Sequence, residues 1–323
     1  MPRFLTLATL VALVGGGLMF LKNFDINGLD KIGLAPKSAA STPTLTGGRA
    51  PDAIRIASFN IQVFGDSKAA KPEVMNVLAE VVRMFDVVAI QEIRTKNEGH
   101  IAQFVELINS TGQRYDYVVG PRLGRTVSKE QYAFVFDTTR IEVDRGAVYT
   151  VADPHDLLHR PPMVAPFRVR GPPSSEAFTF TLINIHTDPD ETKTEIDALA
   201  DVYKAVRNDG RGEDDIILLG DLNVDDKKLG RLGEISDIYA AITGVPTNTR
   251  GTKLYDNIVF HRRATTEFTG RAGVLDLMKH FNLTMDQALA VSDHLPIWAE
   301  FSVYEGGRTP QIAARPEDGP LSK

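Results

Sequence analysis

The sequence contains no cysteine, which excludes a disulfide framework, a zinc-thiolate site and a cysteine nucleophile. It also lacks a P-loop, a glycine-rich dinucleotide fingerprint and a serine nucleophile elbow. Its Gly15-Gly16-Gly17 run lies inside an apolar stretch and is no phosphate loop. Positive charge is not in excess. The 36 basic and 42 acidic residues give a net charge of −6, which argues against a protein that coats nucleic acid non-specifically but leaves a local basic groove open. Long apolar runs are scarce too: the only long uncharged one spans Phe4 to Leu21, at the lower edge of what crosses a bilayer.

That N-terminal stretch, within residues 1–22, reads as an uncleaved membrane anchor, with a cleaved signal segment as the alternative. Residues 23–51 are rich in Gly, Ser, Thr and Pro and read as a flexible linker. Residues 305–323 have the composition of a disordered tail. The expectation is an envelope protein, membrane-anchored or secreted, with an extracytoplasmic domain over 52–304. The hydrophobic share of 43% is ordinary for a chain with a sizeable core.

Within 52–304 the apolar runs are short and strand-like: IRIASF, VVAI, YAFVF, FTFTLINI, IILL, NIVF and PIWAEF. Helical stripes lie between some of them. Val74, Val77, Leu78, Val81 and Val82 make one, and Ile196, Leu199, Val202, Tyr203 and Val206 make another. Strands and helices alternate only in part, so the pattern predicts a layered α/β fold with mixed sheets rather than a pure Rossmann winding.

Many of these runs begin or end in a polar group. Asn60, Glu92, His186, Asp221 and Asn223 follow strand-like runs, while Glu130, Asp256, Asp293 and His294 precede them. Singly, each has a turn or a helix cap as its simpler explanation. Together they point to a site built at strand ends. Acids and an amide with two histidines and no thiol suit a hard cation such as Mg²⁺ or Mn²⁺, and the histidines suit proton transfer at a phosphate. His100, His155, His159, His261 and His280 lack such company and read as surface or locally satisfied residues. Glu213, Asp214 and Asp215 read as loop acids, and Trp298 as core.

At these residues the sequence resembles the endonuclease/exonuclease/phosphatase superfamily, and within it the deoxyribonuclease I branch. IASFNIQVFG, VVAIQEIR, GPRLGRTVSKEQYAFVF, INIHTDPD, IILLGDLNVD, YDNIVF and AVSDHLPIWAEF occur in the family's order over most of 54–303. The resemblance implies a four-layer α/β/β/α sandwich of two mixed sheets with helices outside. It also implies a divalent-metal-dependent phosphodiesterase, expected to be an endonuclease acting on DNA. Glu92 would hold the metal with Asn60 and Asp293 close by. His186 would pair with Glu130, and His294 with Asp256. Asp221 and Asn223 would position metal, phosphate or water, and Arg94, Arg160 and Arg125 would meet the substrate. A phosphatase or phospholipase acting on an inositol phosphate or sphingolipid is the alternative. No obligate protein partner is evident, and a monomer is expected. Two departures bear on DNA grip: Gln62 stands where the family has Arg, and Ser128 where it has an aromatic groove contact. The stretch TGVPTNTRGT only partly echoes the family's calcium loop, so Ca²⁺ dependence stays open.

Overall fold

Apolar runs buried on both faces decide the layering. In the computed structural model, which describes residues 48–97, 99–126 and 129–307, thirteen strands follow in order: β1 (Ala53–Phe64), β2 (Val87–Ile93), β3 (Tyr115–Val119), β4 (Gln131–Asp137), β5 (Ile141–Val143), β6 (Tyr149–Thr150), β7 (Met163–Val169), β8 (Thr179–His186), β9 (Ile216–Asp221), β10 (Ile238–Ala240), β11 (Asp256–His261), β12 (Phe268–Val274) and β13 (Ile297–Ser302). The described helices are α1 (Asp66–Ala69), α2 (Pro72–Arg83), α3 (Gly99–Asn109), α4 (Thr192–Arg207), α5 (Gly230–Gly233), α6 (Leu277–Phe281) and α7 (Met285–Val291). All lie within the larger of the chain's two compact units, Thr42–Lys323. The expected anchor, most of the linker, most of the tail and Ser128 lie outside the described residues. Among the described residues no helix is long and apolar enough to cross a membrane.

Successive strand residues point to opposite faces, and here each face meets a different partner. On β1, Ile54 and Ile56 enter the core between the sheets, while Ala57, Phe59 and Ile61 enter the core under α2 and α3. On β9, Ile217 and Leu219 enter the inter-sheet core, while Ile216 and Leu218 pack beneath α4. Two mixed sheets with helices outside result, as the resemblance implied. One sheet has the order β12-β13-β1-β2-β4-β3 and the other β10-β11-β9-β8-β7-β5, with β6 beside β7. Proline opens α2 at its first turn, where its missing N–H costs nothing.

Each sheet has a parallel pair inside it, β1 with β2 and β8 with β9, flanked by antiparallel strands. The C-terminal ends of the parallel strands therefore lie on the same edge as the N-terminal starts of β4, β11 and β13. Buried amides fix the two sheets against each other. Gln91 Nε2 donates to Asn184 Oδ1 at 2.7 Å, and Asn184 Nδ2 donates to the Ile90 and Ala133 carbonyls at 3.2 and 3.1 Å.

The described contacts run slightly past both expected ends of the domain. Arg49 reaches Asp86 at 2.9 Å and Asp137 at 2.7 Å, and Glu305 Oε2 accepts from the Thr179 N–H at 3.1 Å.

Gly220, one residue before Asp221, has φ +153°, and a Cβ there would lie 1.8 Å from the Ile185 carbonyl oxygen. The obstruction is backbone of the paired strand, so it cannot swing away. We expect Gly220→Ala to destabilise the fold by at least about 3 kcal/mol, the top of the usual range for overpacking. The shift in denaturant midpoint at constant slope measures it. A loss under about 1 kcal/mol would mean that β8 yields.

Candidate active site

Seven strand termini deliver polar groups to the shared edge. The β8–β9 register puts His186 opposite Asp221, and the β9–β11 register puts Asp256 opposite Asp221. Both histidines are held the same way. His186 Nδ1 is 2.9 Å from Glu130 Oε2, and His294 Nδ1 is 2.9 Å from Asp256 Oδ2. With Nδ1 engaged, each ring turns Nε2 inward, where the two lie 3.5 and 3.4 Å from the same atom, Asp221 Oδ2. The carboxylates are themselves fixed. Thr247 Oγ1 donates to Asp256 Oδ2 at 2.7 Å, so the TGVPTNTRGT stretch serves to hold Asp256. The His186 N–H donates to the Tyr132 hydroxyl at 3.0 Å.

Charge in this setting favours imidazolium. Burial alone would lower His294, but Asp256 and Asp221 outweigh it and raise the group to about 11. Burial likewise opposes the proton on His186, yet Glu130 and Asp221 raise it. Burial would raise Glu130, but its bond to His186 holds the carboxyl below the usual range.

Glu92 stands beside these pairs in a left-handed conformation, φ +64°. Such a conformation costs on the order of 1–3 kcal/mol in a non-glycine residue. Local bonds maintain it: the Glu92 N–H donates to Glu130 Oε2 at 3.1 Å, and Glu92 Oε2 accepts from the Val63 N–H at 2.8 Å. Gln62, Val63 and Asn223, all at the same edge, also have positive φ. Asn60 bridges the site, its Nδ2 donating to Glu92 Oε1 at 3.2 Å and to Asp221 Oδ2 at 3.0 Å. Asn223 Nδ2 donates to the Thr187 carbonyl at 2.8 Å, and its N–H donates to Asp221 Oδ1 at 3.0 Å. Asp293 Oδ1 is buried and makes no hydrogen bond. Above these groups opens a cavity of about 330 Å³ lined by Glu92, Arg94, His159, Arg160, His186 and Asp221, among others.

The family model for Endonuclease/Exonuclease/phosphatase proteins matches residues 57–294, which brackets every one of these groups. The chain belongs to that family. Deoxyribonuclease-1-like 2 of Mus musculus is 32% identical over 265 residues, covering 78% of this chain and 93% of that protein. Deoxyribonuclease gamma of Rattus norvegicus is 30% identical over 261 residues, covering 76% and 83%. These relatives place the chain in the deoxyribonuclease I-like branch, and the protein is a hydrolase. A solved mannosyl-6-phosphatase of Bacteroides thetaiotaomicron shares the fold with a TM-score of 0.54 and 16% identity over 76% of this chain and 98% of that one.

In this family member the three arginines expected to meet substrate separate. Arg94 lines the cavity, with Nη2 at 3.2 Å from Glu92 and 3.9 Å from Glu130. Arg160 is buried in the wall rather than placed on the rim. Its Nη1 is 2.9 Å from Glu130 Oε1 and its Nε donates to the His186 carbonyl at 3.1 Å, while Nη2 is buried without a hydrogen bond. Arg125 is committed elsewhere, to Asp156 at 3.0 Å and to Glu191. Loop acids remote in sequence capture it, which no local pattern announces.

Sequence reading left out several groups that the fold brings in. His159, read as a locally satisfied histidine, lines the cavity with Nδ1 3.6 Å from Asp188. Lys68, in the short helix α1, is buried and donates to the Ile61 and Val291 carbonyls at 2.6 and 2.8 Å. Burial lowers it to about 8 against the opposing pull of Glu92 and Asp293. Gln62, in the family's arginine position, accepts from the Asp293 N–H at 3.2 Å and so anchors the loop that carries Asp293.

Proposed function

We propose that the chain is a divalent-metal-dependent endonuclease that hydrolyses phosphodiester bonds of DNA. The observation that carries this reading is the pair of His–carboxylate couples whose Nε2 atoms face one carboxylate at the floor of a single cleft. Relatives named deoxyribonucleases at about 30% identity supply the substrate class.

Hydrolysis of a phosphodiester needs a proton removed from water and another given to the leaving oxygen. Two imidazoles, each oriented through Nδ1, meet that need, one as acid in its protonated form and the other as base once a cation beside Asp221 offsets the carboxylates that favour its proton. Asp221, between their Nε2 atoms, orients both rings and accepts from Asn60. Arg160 Nη2, unbonded in the cavity wall, and Arg94 at its mouth meet the phosphate oxygens. Guanidinium suits that contact through its paired donors.

The donor set fits a hard cation. Glu92 and Asp293 offer only oxygen, and Asp293 Oδ1 is a buried atom without a hydrogen bond. A bound Mg²⁺ or Mn²⁺ would supply positive charge to the phosphate oxygens. Asp221, Asp256 and His294 also bring ligand atoms within 4.8 Å of one another, but His294 Nδ1 and Asp256 Oδ2 are already bonded together, which suits proton transfer.

The test is the full chain on supercoiled plasmid and on a panel of inositol and lipid phosphodiesters, with Mg²⁺ and with chelator. Mg²⁺-dependent nicking is expected. Turnover of the panel without cleavage of any DNA would replace this reading with that of a phosphatase or phospholipase. Because phosphate contacts carry no base information, sequence preference should be weak. Arg94→Ala should raise KM on DNA more than it lowers kcat. It should also flatten the slope of log KM against log salt by about 1, the loss of a single phosphate contact. Plasmid nicking across a salt series measures both, and an unchanged slope would remove Arg94 from the DNA surface.

A further inference from the structure

At the end of β9 away from Asp221, a second set of carboxylates converges. Asp215, read from sequence as a loop acid, is fully buried just before β9. Glu267, 2% exposed, precedes β12, and Glu305 follows β13 at the surface. Single oxygens of the three lie within 4.8 Å of one another. Asp221 lies six positions along the extended strand from Asp215, about 20 Å, so this cluster is separate from the catalytic cleft.

These groups are only partly satisfied. Glu267 Oε1 accepts from the Gly306 N–H, and Glu305 Oε2 from the Thr179 N–H. Glu267 Oε2 is buried without a hydrogen bond, as is the Asp215 carboxyl apart from the Thr265 hydroxyl that lies beside it. Among the described residues no lysine or arginine pairs with any of the three acids, and Glu213 and Asp214 add further negative charge nearby. Burial, reinforced by Glu267, pushes the Asp215 carboxyl up to about 9. Buried carboxylates together without a counter-charge are costly, so the cluster calls for either a proton or a cation.

We propose that Asp215, Glu267 and Glu305, with the Thr265 hydroxyl, bind a calcium ion. One shared proton would leave two of the three carboxylates charged without a counter-ion, whereas a divalent cation offsets both charges. Oxygen-only ligands from separate segments suit calcium, which accepts irregular shells of six to eight oxygens. Magnesium demands a regular octahedron and keeps its waters. Glu305 at the surface leaves a side open to water and to the ion. The site ties β9 of one sheet to the β12 and β13 segments of the other, and Glu305 in turn holds the start of β8. Calcium would thus clamp the sandwich at the end opposite the active site, and its binding energy would add to folding stability.

The test is calcium binding to the chelator-stripped full chain carrying Glu92→Gln, so that calcium held at the catalytic carboxylate does not intrude. Titration calorimetry and melting temperature are the readouts. With the cluster intact we expect calcium to bind and to raise the melting temperature. Adding Glu305→Gln, a surface change, should weaken the affinity at least about tenfold by removing one charged ligand. Adding Asp215→Asn should abolish the calcium response without lowering the calcium-free melting temperature, because one buried like charge is gone. No calcium response with the cluster intact, or equal affinity after Glu305→Gln, would overturn the proposal, as would tighter binding of magnesium. If Asp215→Asn fails to fold, Glu305→Gln alone decides.

Discussion

His186→Ala and His294→Ala should each lower the rate of phosphodiester hydrolysis by about 10² to 10⁴, the range for losing general acid–base help. Each imidazole is aimed by a 2.9 Å bond to its own carboxylate, and both Nε2 atoms face Asp221. If the two serve one step, the double variant should cost much less than the product of the single losses. Steady-state rates on plasmid, with circular dichroism to verify folding, make the measurement. A folded single variant with a near-normal rate would reduce that histidine to a structural role. The folding control should be run at one pH. Because Asp256 and Asp221 hold His294 at about 11 in the metal-free chain, its ion pair stabilises fully below the ordinary imidazole value near 6.5. That contribution fades as pH rises from there towards 11. His294→Ala should therefore look most destabilised in acid-to-neutral buffer and least so in alkali.

Chelation should remove activity altogether, and Glu92→Ala should do the same while the fold survives. Glu92 is kept in a left-handed conformation by the bond its N–H donates to Glu130 and the bond its carboxylate accepts from Val63. That strain is spent on aiming one carboxylate, so alanine here removes a ligand and leaves no cavity in the core. Lys68 lies buried in the electrostatic field of Glu92 and Asp293, and a carboxylate lost from this neighbourhood leaves its ammonium less well compensated. A modest stability loss is therefore expected alongside complete loss of turnover. Full activity in excess chelator, or substantial activity in Glu92→Ala restored by no added metal, would end the metal-dependent reading.

Much of the architecture was legible because its strands are buried on both faces. The continuous apolar runs at β1, β2, β4, β8, β9, β11 and β13 mark seven of the eight inner strands of the two sheets, where both faces are buried and apolar residues dominate. The stripes at 74–82 and 196–206 became α2 and α4 for the complementary reason: only one face of each meets a sheet. The strands β3, β5, β6, β7, β10 and β12 were not read out, β7 although it lies inside its sheet. Several are two or three residues long, and half-buried edge positions leave too little periodicity to read.

The sequence by itself determined which chemistry this protein can do. A chain without cysteine, with acids, amides and two histidines at strand termini, had only oxygen and imidazole to work with. Tertiary structure decided what those groups do to one another. The parallel pairs β1–β2 and β8–β9 put strand ends and strand starts on one edge, so groups up to 234 positions apart in sequence, from Asn60 to His294, share one cleft. The same packing diverted Arg125 into ion pairs, buried Arg160 in the wall, brought His159 to the cavity and sank Asp215 beneath the far end of its strand. Charge type is written in the residue, but burial and partner are properties of the packed chain. That is why the polar groups that meet in the cleft could be named in advance and their environments could not.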